Sequence, residues 1–338
     1  MLARAAEDFS IPPQATSFPA PQRPFGFWGV FTCQGPVKHL DTPRTRLTVF
    51  GDRLAQVFAR FKALGIDLDR GRLKAYATAF AAPHSADRAT LWSGACEVDD
   101  LMAAASLSDD ALEAVRDRLP ELCAGDIIFT DESGLDQGRN LCFELVTAAK
   151  LAQMSGKPSA LQNPADAVNN IDGTLLLAEC KRPSTLKGLA RCLTEGYRQL
   201  SEHRRAGVQG VGVLSVEVTS LVNPRFDVLV APSREAAMDG LYAHILKVFE
   251  VSKEYLDRGA RNARKDANVQ MMMFRAKCMT GNGRDPPDIT TVWQLQPLIP
   301  LDSRDFVKLY RHLSNHPDFT QGIWHAEHQR NGARPTSA

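Results

Sequence analysis

The apolar positions of this chain first recur at a helical spacing and later alternate as in strands. From about residue 51 to residue 124 they follow the helical period, as at Leu54 and Val57, which indicates helices with one buried face. A further helix is predicted at 111–119, directly before Pro120, because proline breaks the helical hydrogen-bond ladder. Residues 51–124 are therefore expected to be mainly helical.

The middle of the chain predicts a helix, a hairpin and a second helix. Residues 139–154 are apolar on almost every side, so this helix is expected to be mostly buried, with Glu144 as its one acid. Asp172 and Gly173 then separate two short runs, and an Asp-Gly pair in this setting is a strong signal for a type I′ hairpin turn. Residues 184–205 return to the helical period with one apolar stripe.

The segments after the second helix add strands to the predicted fold. Two strands are expected at 211–221 and 226–231, followed by a long helix at 234–265. A second hairpin is expected from residues 270–279 and 289–298. This order of helices and strands predicts an α/β fold in which a sheet is flanked by helices.

The register of the first hairpin brings two acids together. With residues 172 and 173 as the loop, Val168 lies opposite Leu177, and Asp166 lies opposite Glu179. Directly opposed carboxylates repel each other unless something compensates their charge, and a divalent cation would do so. Side chains alternate along a strand, so Lys181 is expected on the same face as Glu179.

The charges of the chain are segregated, although its net charge is only +1 over 338 residues. Residues 97–136 carry twelve acids and two arginines, whereas residues 181–205 carry seven Lys or Arg and two Glu. Residues 258–277 carry six bases and one acid. Basic surface directly after the hairpin is where a phosphate backbone would need it. Ordinary solvated helix faces are the alternative interpretation.

Composition gives no sign of a membrane or secreted protein. No run approaches the roughly 20 apolar residues of a membrane span, and the N-terminal residues lack the apolar core of a signal peptide. The seven cysteines show no C-x-x-C spacing, so neither a zinc site nor a disulfide framework is indicated. We therefore expect a cytoplasmic protein without a membrane partner.

The hairpin acids and the lysine, followed by Arg182, resemble the PD-(D/E)XK nuclease superfamily. The resemblance rests on Asp166, Glu179 and Lys181 and covers roughly residues 138–232. One inserted residue separates Asp166 from the proline that precedes it in the family pattern. The resemblance implies a restriction-endonuclease-like mixed sheet flanked by helices, with a mainly helical N-terminal accessory region. The implied activity is Mg²⁺-dependent hydrolysis of phosphodiester bonds, most often by a DNA endonuclease.

The resemblance also assigns roles to single residues. An acid on the helix before the hairpin completes the metal shell of the family, and Glu144 matches it. The implied ligands of Mg²⁺, or alternatively Mn²⁺, are Asp166, Glu179 and Glu144, with Lys181 as a further catalytic residue. The expected nucleic-acid contacts are Arg182, Lys187, Arg191 and Arg198, and the auxiliary candidates are Tyr197 and Gln199.

On this interpretation the chain divides into five segments. They are a Pro- and aromatic-rich arm packed on the body (1–50), a helical accessory region (51–125), a nuclease core (126–265), a C-terminal strand and loop extension (266–328) and a disordered tail (329–338). DNA is the expected partner, and a homodimer stays open.

Three alternatives remain at this point. Glu144 would be a solvated residue if Asn140, Thr147 and Lys150 shared an exposed stripe with it. The chain would be a binding module if a nuclease-like fold had lost its catalytic turnover. The triplet from Glu179 to Lys181 would be a chance surface pattern if the chain were an unrelated α/β protein.

Overall fold

The computed structural model describes a group of N-terminal helices and, after it, a sheet with the helices that alternate with its strands. The described residues are 47–128, 136–162, 164–171, 173–223, 229–230, 233–251, 254, 269–281 and 288–297. Residues 1–46 of the predicted arm, the turn residue Asp172, the basic end of the long predicted helix and everything after residue 297 lie outside them.

The N-terminal region consists of helices. They are α1 (Thr48–Ala63), α2 (Gly71–Ala81), α3 (Arg88–Ala105), α4 (Asp109–Glu113) and a 3₁₀ helix (Arg116–Cys123). Helix α1 ends just before Gly65, whose φ of 76° lies in the left-handed region that glycine adopts without strain. Asp87 caps the N-terminus of helix α3, and its carboxylate accepts a 2.9 Å hydrogen bond from the Thr90 backbone N–H. The helical expectation for this region is confirmed.

The predicted helix at 111–119 is wrong in its extent. Helix α4 ends at Glu113, and Val115 leaves the helical conformation with φ −120° and ψ 16°. The chain then continues as the 3₁₀ helix with Pro120 inside it. Proline has no backbone N–H and cannot continue an α-helical ladder, so the shorter α4 and the tighter 3₁₀ turn accommodate it.

The remainder of the described chain alternates between helices and strands. Its elements are α5 (Gln137–Ser155), β1 (Ala160–Leu161), β2 (Ala167–Ile171), β3 (Thr174–Lys181), α6 (Leu186–Arg205), β4 (Val211–Glu217), α7 (Thr219–Val222), β5 (Leu229–Val230), α8 (Arg234–Val251), β6 (Val269–Gly281) and β7 (Asp288–Pro297).

Strands β2 and β3 form the predicted hairpin. Val168 lies opposite Leu177, and Ile171 lies opposite Thr174, which is the expected register. Gly173 has a φ of 81°, as the second position of a type I′ turn requires. The prediction succeeded because both turn and register depend on residues close in sequence.

The seven described strands form one sheet in the order β1, β2, β3, β4, β6 and β5, with β7 paired to β6. Strands β3, β4 and β6 run parallel to one another, whereas β2 and β7 are antiparallel to their neighbours. Strand β6 comes from the segment predicted as a C-terminal extension, yet it pairs with β4 inside the sheet. Every residue of β4 is buried, as expected for a strand covered on both faces.

Helices cover both faces of the sheet. Along β4, Val213 belongs to the core shared with the N-terminal helices and α5, whereas Leu214 belongs to the core shared with α6 and α8. Met271 and Met272 in β6 divide between the two cores in the same way. The period of two in a strand produces this division. The α/β class and the mixed sheet flanked by helices are therefore confirmed.

A buried group of charges joins α3 to the sheet. Asp100 forms ion pairs with Arg275 and Lys277 of β6, and all three side chains are at most 10% exposed. Arg275 also donates to Glu217 of β4 at 2.8 Å. Burial disfavours the ionised form of Asp100, but the charges of Arg275 and Lys277 outweigh this effect and hold the pKa of that carboxyl at about 2.

We expect Asp100→Ala to lower the free energy of unfolding by about 3–5 kcal/mol, because it removes the carboxylate that pairs with two buried cations. Asp109→Ala is the matched control, since Asp109 also pairs with an arginine but is 70% exposed. Its expected cost is below about 1 kcal/mol. Urea unfolding at pH 7 measures both values, and equal losses would contradict the assignment.

The ion pairs of Asp100 predict that the stability of the protein depends on pH. The folded pKa of Asp100 lies near 2, below the value of about 3.9 expected in the unfolded chain. Its contribution is therefore fully present above about pH 4 and is lost as the pH falls towards about 2. The difference in unfolding free energy between the wild type and Asp100→Ala should narrow from pH 4 to pH 3. A constant difference would show that the ion pair is not its origin.

Candidate functional site

Asp166 lies beside Glu179, at the end of the hairpin distant from the turn. The paired ladder of β2 begins at Ala167, so Asp166 stands one residue outside it. Its Oδ2 accepts a 2.8 Å hydrogen bond from the backbone N–H of Cys180. The carboxylate thus takes the place of a backbone acceptor and is fixed next to β3.

Glu179 is almost completely buried, at 2% exposure. Its Oε1 lies 2.9 Å from His203 Nε2 of α6, and its Oε2 accepts from Lys181 Nζ at 3.4 Å. Burial raises the pKa of this carboxyl, and the charge of Asp166 raises it further, whereas His203 and Lys181 oppose the change. The negative charge of Glu179 is therefore unfavourable, and the contacts with His203 and Lys181 reduce this cost.

Glu144 of α5 belongs to the same electrostatic cluster. Burial raises the pKa of its carboxyl to about 7, with the charge of Asp166 as the next cause. Arg118 opposes this shift by donating to both oxygens, at 2.9 Å and 3.3 Å. The charge of Asp166 raises the pKa of both Glu144 and Glu179, so the three predicted acids form one electrostatic cluster.

The alternative of an exposed stripe around Glu144 is wrong. Glu144 is 9% exposed, Lys150 is 6% exposed and Thr147 is fully buried. The Thr147 hydroxyl lies 3.1 Å from that of Ser215 in β4, so this face of α5 packs on the sheet. A buried acid beside the charge of Asp166 calls for a nearby cation, and Arg118 supplies one.

The oxygen atoms of this cluster suit a hard divalent cation, since Mg²⁺ and Mn²⁺ prefer carboxylate ligands. Within the parts of the chain that the structure describes, no three Asp, Glu, His or Cys side chains converge closely enough to hold a metal ion. The acids instead contact Arg118, Lys181, His203 and a backbone N–H. The donor set fits the cation chemically, and these contacts would have to change when it binds.

The two auxiliary candidates on α6 differ in their surroundings. Tyr197 is buried in the core, and its hydroxyl donates to Met272 Sδ at 3.6 Å, so it packs under the helix and not among the acids. Gln199 has a buried Oε1 without a hydrogen-bond partner. It lies between Gly196 and His203 along the helix. Gln199 therefore remains a candidate near the site.

Helix α6 approaches the acids closely because of one glycine. A Cβ at Gly196 would lie 2.3 Å from Leu214 Cδ1 and 3.5 Å from Lys181 Cε. Any larger residue would push α6 away from β3 and β4. Gly196 thereby lets His203, two helical turns later, reach Glu179.

The predicted nucleic-acid contacts fall into three environments. Lys187 and Arg191 are exposed on α6. Arg198 is exposed as well, but it forms ion pairs with Glu195 and Glu202 on the same helix. Arg182 is half-buried and donates to Asn140 Oδ1 at 3.3 Å. Lys187 and Arg191 are thus the most accessible of the four.

Three contacts of the acids were not predicted from the sequence. Arg118 and His203 are distant from the hairpin along the chain, and no local motif marks them. Gln162 donates to Glu144 at 3.5 Å and has a φ of 57°, the one non-glycine residue with a positive φ among those described. Such backbone strain persists where the surroundings enforce it, often at functional sites.

No protein-family model, curated protein or solved structure matches this chain. Among the helices that the structure describes, none is long and apolar enough to cross a membrane. The argument for function therefore depends on the acids, their contacts and the order of the elements that carry them.

We expect Asp166→Asn to raise the melting temperature of the protein in EDTA, because it removes repulsion of up to about 1 kcal/mol from the cluster. The Asn oxygen can still accept from Cys180 N–H. Adding Mn²⁺ should raise the melting temperature of the wild type but not of the variant.

Asp172→Asn is the control, since Asn-Gly is an equally good type I′ turn. Scanning calorimetry with EDTA and with Mn²⁺ measures all three proteins. A wild type that is insensitive to Mn²⁺ would argue against a metal site at these acids.

Proposed function

We propose that the chain is a divalent-metal-dependent nuclease that hydrolyses phosphodiester bonds, with DNA as its substrate. The observation that carries this proposal is the electrostatic cluster of Asp166, Glu179 and Glu144, in which the charge of Asp166 raises the pKa of both glutamates. Lys181 Nζ lies 3.4 Å from Glu179 in the same cluster. Buried carboxylates whose pKa is raised by burial and by a neighbouring carboxylate are unfavourable in their charged form unless a cation compensates them, and that condition matches a metal-binding role.

The order of elements adds support. Helix α5 with Glu144 precedes the β2–β3 hairpin, and α6 and the parallel strand β4 follow it. The PD-(D/E)XK resemblance calls for an acid-bearing helix before the hairpin and a helix and a strand after it. The restriction-endonuclease-like fold is therefore part of the proposal.

The residues divide the chemistry among themselves. Asp166, Glu179 and Glu144 would hold the cation, which when bound polarises the scissile phosphate and activates a water molecule. Lys181 carries a compact ammonium beside Glu179, suited to orienting that water or to offsetting negative charge on the phosphate. His203 holds the other oxygen of Glu179 and so fixes the direction of that carboxylate.

The substrate is proposed from the charge of the surface near the acids. Lys187 and Arg191 lie exposed on α6, which directly follows the strand that carries Glu179 and Lys181. Phosphate groups along a duplex are the natural partners of such a row, and backbone contacts carry no sequence information.

A catalytically inactive binding module is the second candidate. Side chains of this protein already contact the carboxylates of Glu144 and Glu179, and this observation favours it. Such a module would bind nucleic acid without needing a metal. The two functions differ in their response to chelation.

We predict that the purified protein cleaves linear or circular DNA with Mg²⁺ or Mn²⁺ and not with EDTA, because the acids need a cation to act. Lys181→Ala should abolish cleavage while DNA affinity changes little, since other bases contact the phosphates. Gel-based cleavage and fluorescence anisotropy measure the two effects. Activity that persists in EDTA would rule out the mechanism, and binding without any cleavage would favour the binding module.

The environments of the α6 bases predict unequal effects on DNA binding. Lys187→Ala and Arg191→Ala should each lower the slope of log K against log salt by about 0.9, as expected for one lost phosphate contact. Arg198→Ala should change the slope less, because Glu195 and Glu202 already hold its guanidinium. Titrations at several salt concentrations measure the slopes. Three unchanged slopes would show that α6 does not face the DNA.

A further inference from the structure

Arg118 connects the helical region to the acid cluster. It lies on the 3₁₀ helix, which the fully buried Leu119 and Leu122 anchor in the core. Its guanidinium donates to Glu144 Oε2 at 2.9 Å and to Oε1 at 3.3 Å. Two parallel bonds of this kind give the strongest arrangement of an arginine on a carboxylate.

The ion pair between Arg118 and Glu144 occupies both oxygens that a metal ion would need. The Glu144 side chain is 12% exposed, whereas that of Arg118 is 33% exposed. The carboxylate is thus fixed on α5, and the guanidinium reaches it from the more solvated side. Arg118 can leave towards solvent by rotating its own side chain, without a change in the backbone.

We infer that the Arg118 guanidinium occupies the place on the Glu144 carboxylate that a metal ion would take, until the metal ion binds. The released guanidinium then contacts a phosphate of the substrate. This inference rests on the proposed nuclease function. It makes the helical region a part of the site and Arg118 a substrate-binding residue. A guanidinium fork binds phosphate with the same bidentate geometry that it uses on carboxylate.

Charge supports the exchange. A divalent cation between Glu144 and Asp166 would repel the guanidinium of Arg118 at short range. The same cation would leave Arg118 without Glu144 as its partner, so its guanidinium could bind a negative phosphate of the substrate. Nearby Glu121, whose Oε2 lies 3.7 Å from Arg118 Nε, can retain the arginine on this side of the site.

Mn²⁺ titration of the full chain without DNA, at pH 8.5, tests the first step. This pH is chosen because the pKa of Glu144 is raised to about 7. Arg118→Met should bind Mn²⁺ about tenfold more tightly than the wild type, because the metal no longer displaces a charge-assisted pair. Arg116→Met is the matched control, since Arg116 lies on the same 3₁₀ helix but pairs with the exposed Glu113. It should bind Mn²⁺ as the wild type does.

DNA affinity tests the second step, in the Lys181→Ala background so that no cleavage occurs. With Mn²⁺, adding Arg118→Met should weaken binding to a linear duplex and lower the salt slope by about 0.9. In EDTA it should leave the affinity unchanged, because Arg118 is then engaged by Glu144. A purely structural role for Arg118 would reduce affinity equally under both conditions, and that result would overturn the inference.

Arg118→Lys provides a second variant if Arg118→Met does not fold. Lysine keeps the charge but cannot form two parallel bonds, so Mn²⁺ should bind it with an affinity between those of the wild type and Arg118→Met. If the wild type binds Mn²⁺ and cleaves DNA, but both Arg118 variants bind Mn²⁺ with the affinity of the wild type, the inference is wrong and the nuclease function stands. A wild type that neither binds Mn²⁺ nor cleaves would remove both.

Discussion

The buried ion pairs of α3 are the interaction on which the arrangement of the N-terminal helices, α5 and the sheet depends. Glu97 accepts from Arg72 of α2 at 2.8 Å and from Arg139 of α5 at 2.5 Å. One turn later, Asp100 binds the cations of β6. Buried charges must be paired closely, so these contacts fix the rotation of α3 about its axis and its position along that axis. Apolar packing alone would leave both less defined. By holding α5 and the N-terminal helices in one orientation, they place the 3₁₀ helix against Glu144.

The acid cluster is the opposite kind of arrangement, because its charges are not fully compensated within the chain. Burial and the Asp166 charge raise the pKa of Glu144 and of Glu179, while Arg118, His203 and Lys181 reduce the effect. Glu97 and Asp100 of α3 each pair with two cations at short range. The contrast separates a group of charges that is balanced within the fold from one whose carboxyl pKa values stay raised, as is common at functional sites.

Local features of the sequence were sufficient for several elements near the site. The Asp-Gly turn and the alternation beside it determine the β2–β3 register, and the apolar surface of residues 139–154 determines a buried α5. Residues distant in the sequence decide the surroundings of other side chains. Tyr197 follows the aromatic pattern expected of an auxiliary residue, but its phenol reaches Met272 of β6, a strand that enters the sheet from far along the chain.

The sequence by itself determined the hairpin, its register and the helices on either side, because each follows from turn chemistry or from a period of a few residues. The tertiary structure alone decided that β6 pairs with β4, that Gly196 brings α6 close to Lys181, and that Arg118 and His203 reach the acids. Arg118 and Glu144 are 26 positions apart in the sequence, and His203 and Glu179 are 24 positions apart. No local pattern encodes such contacts, since they form only when separate buried faces pack together.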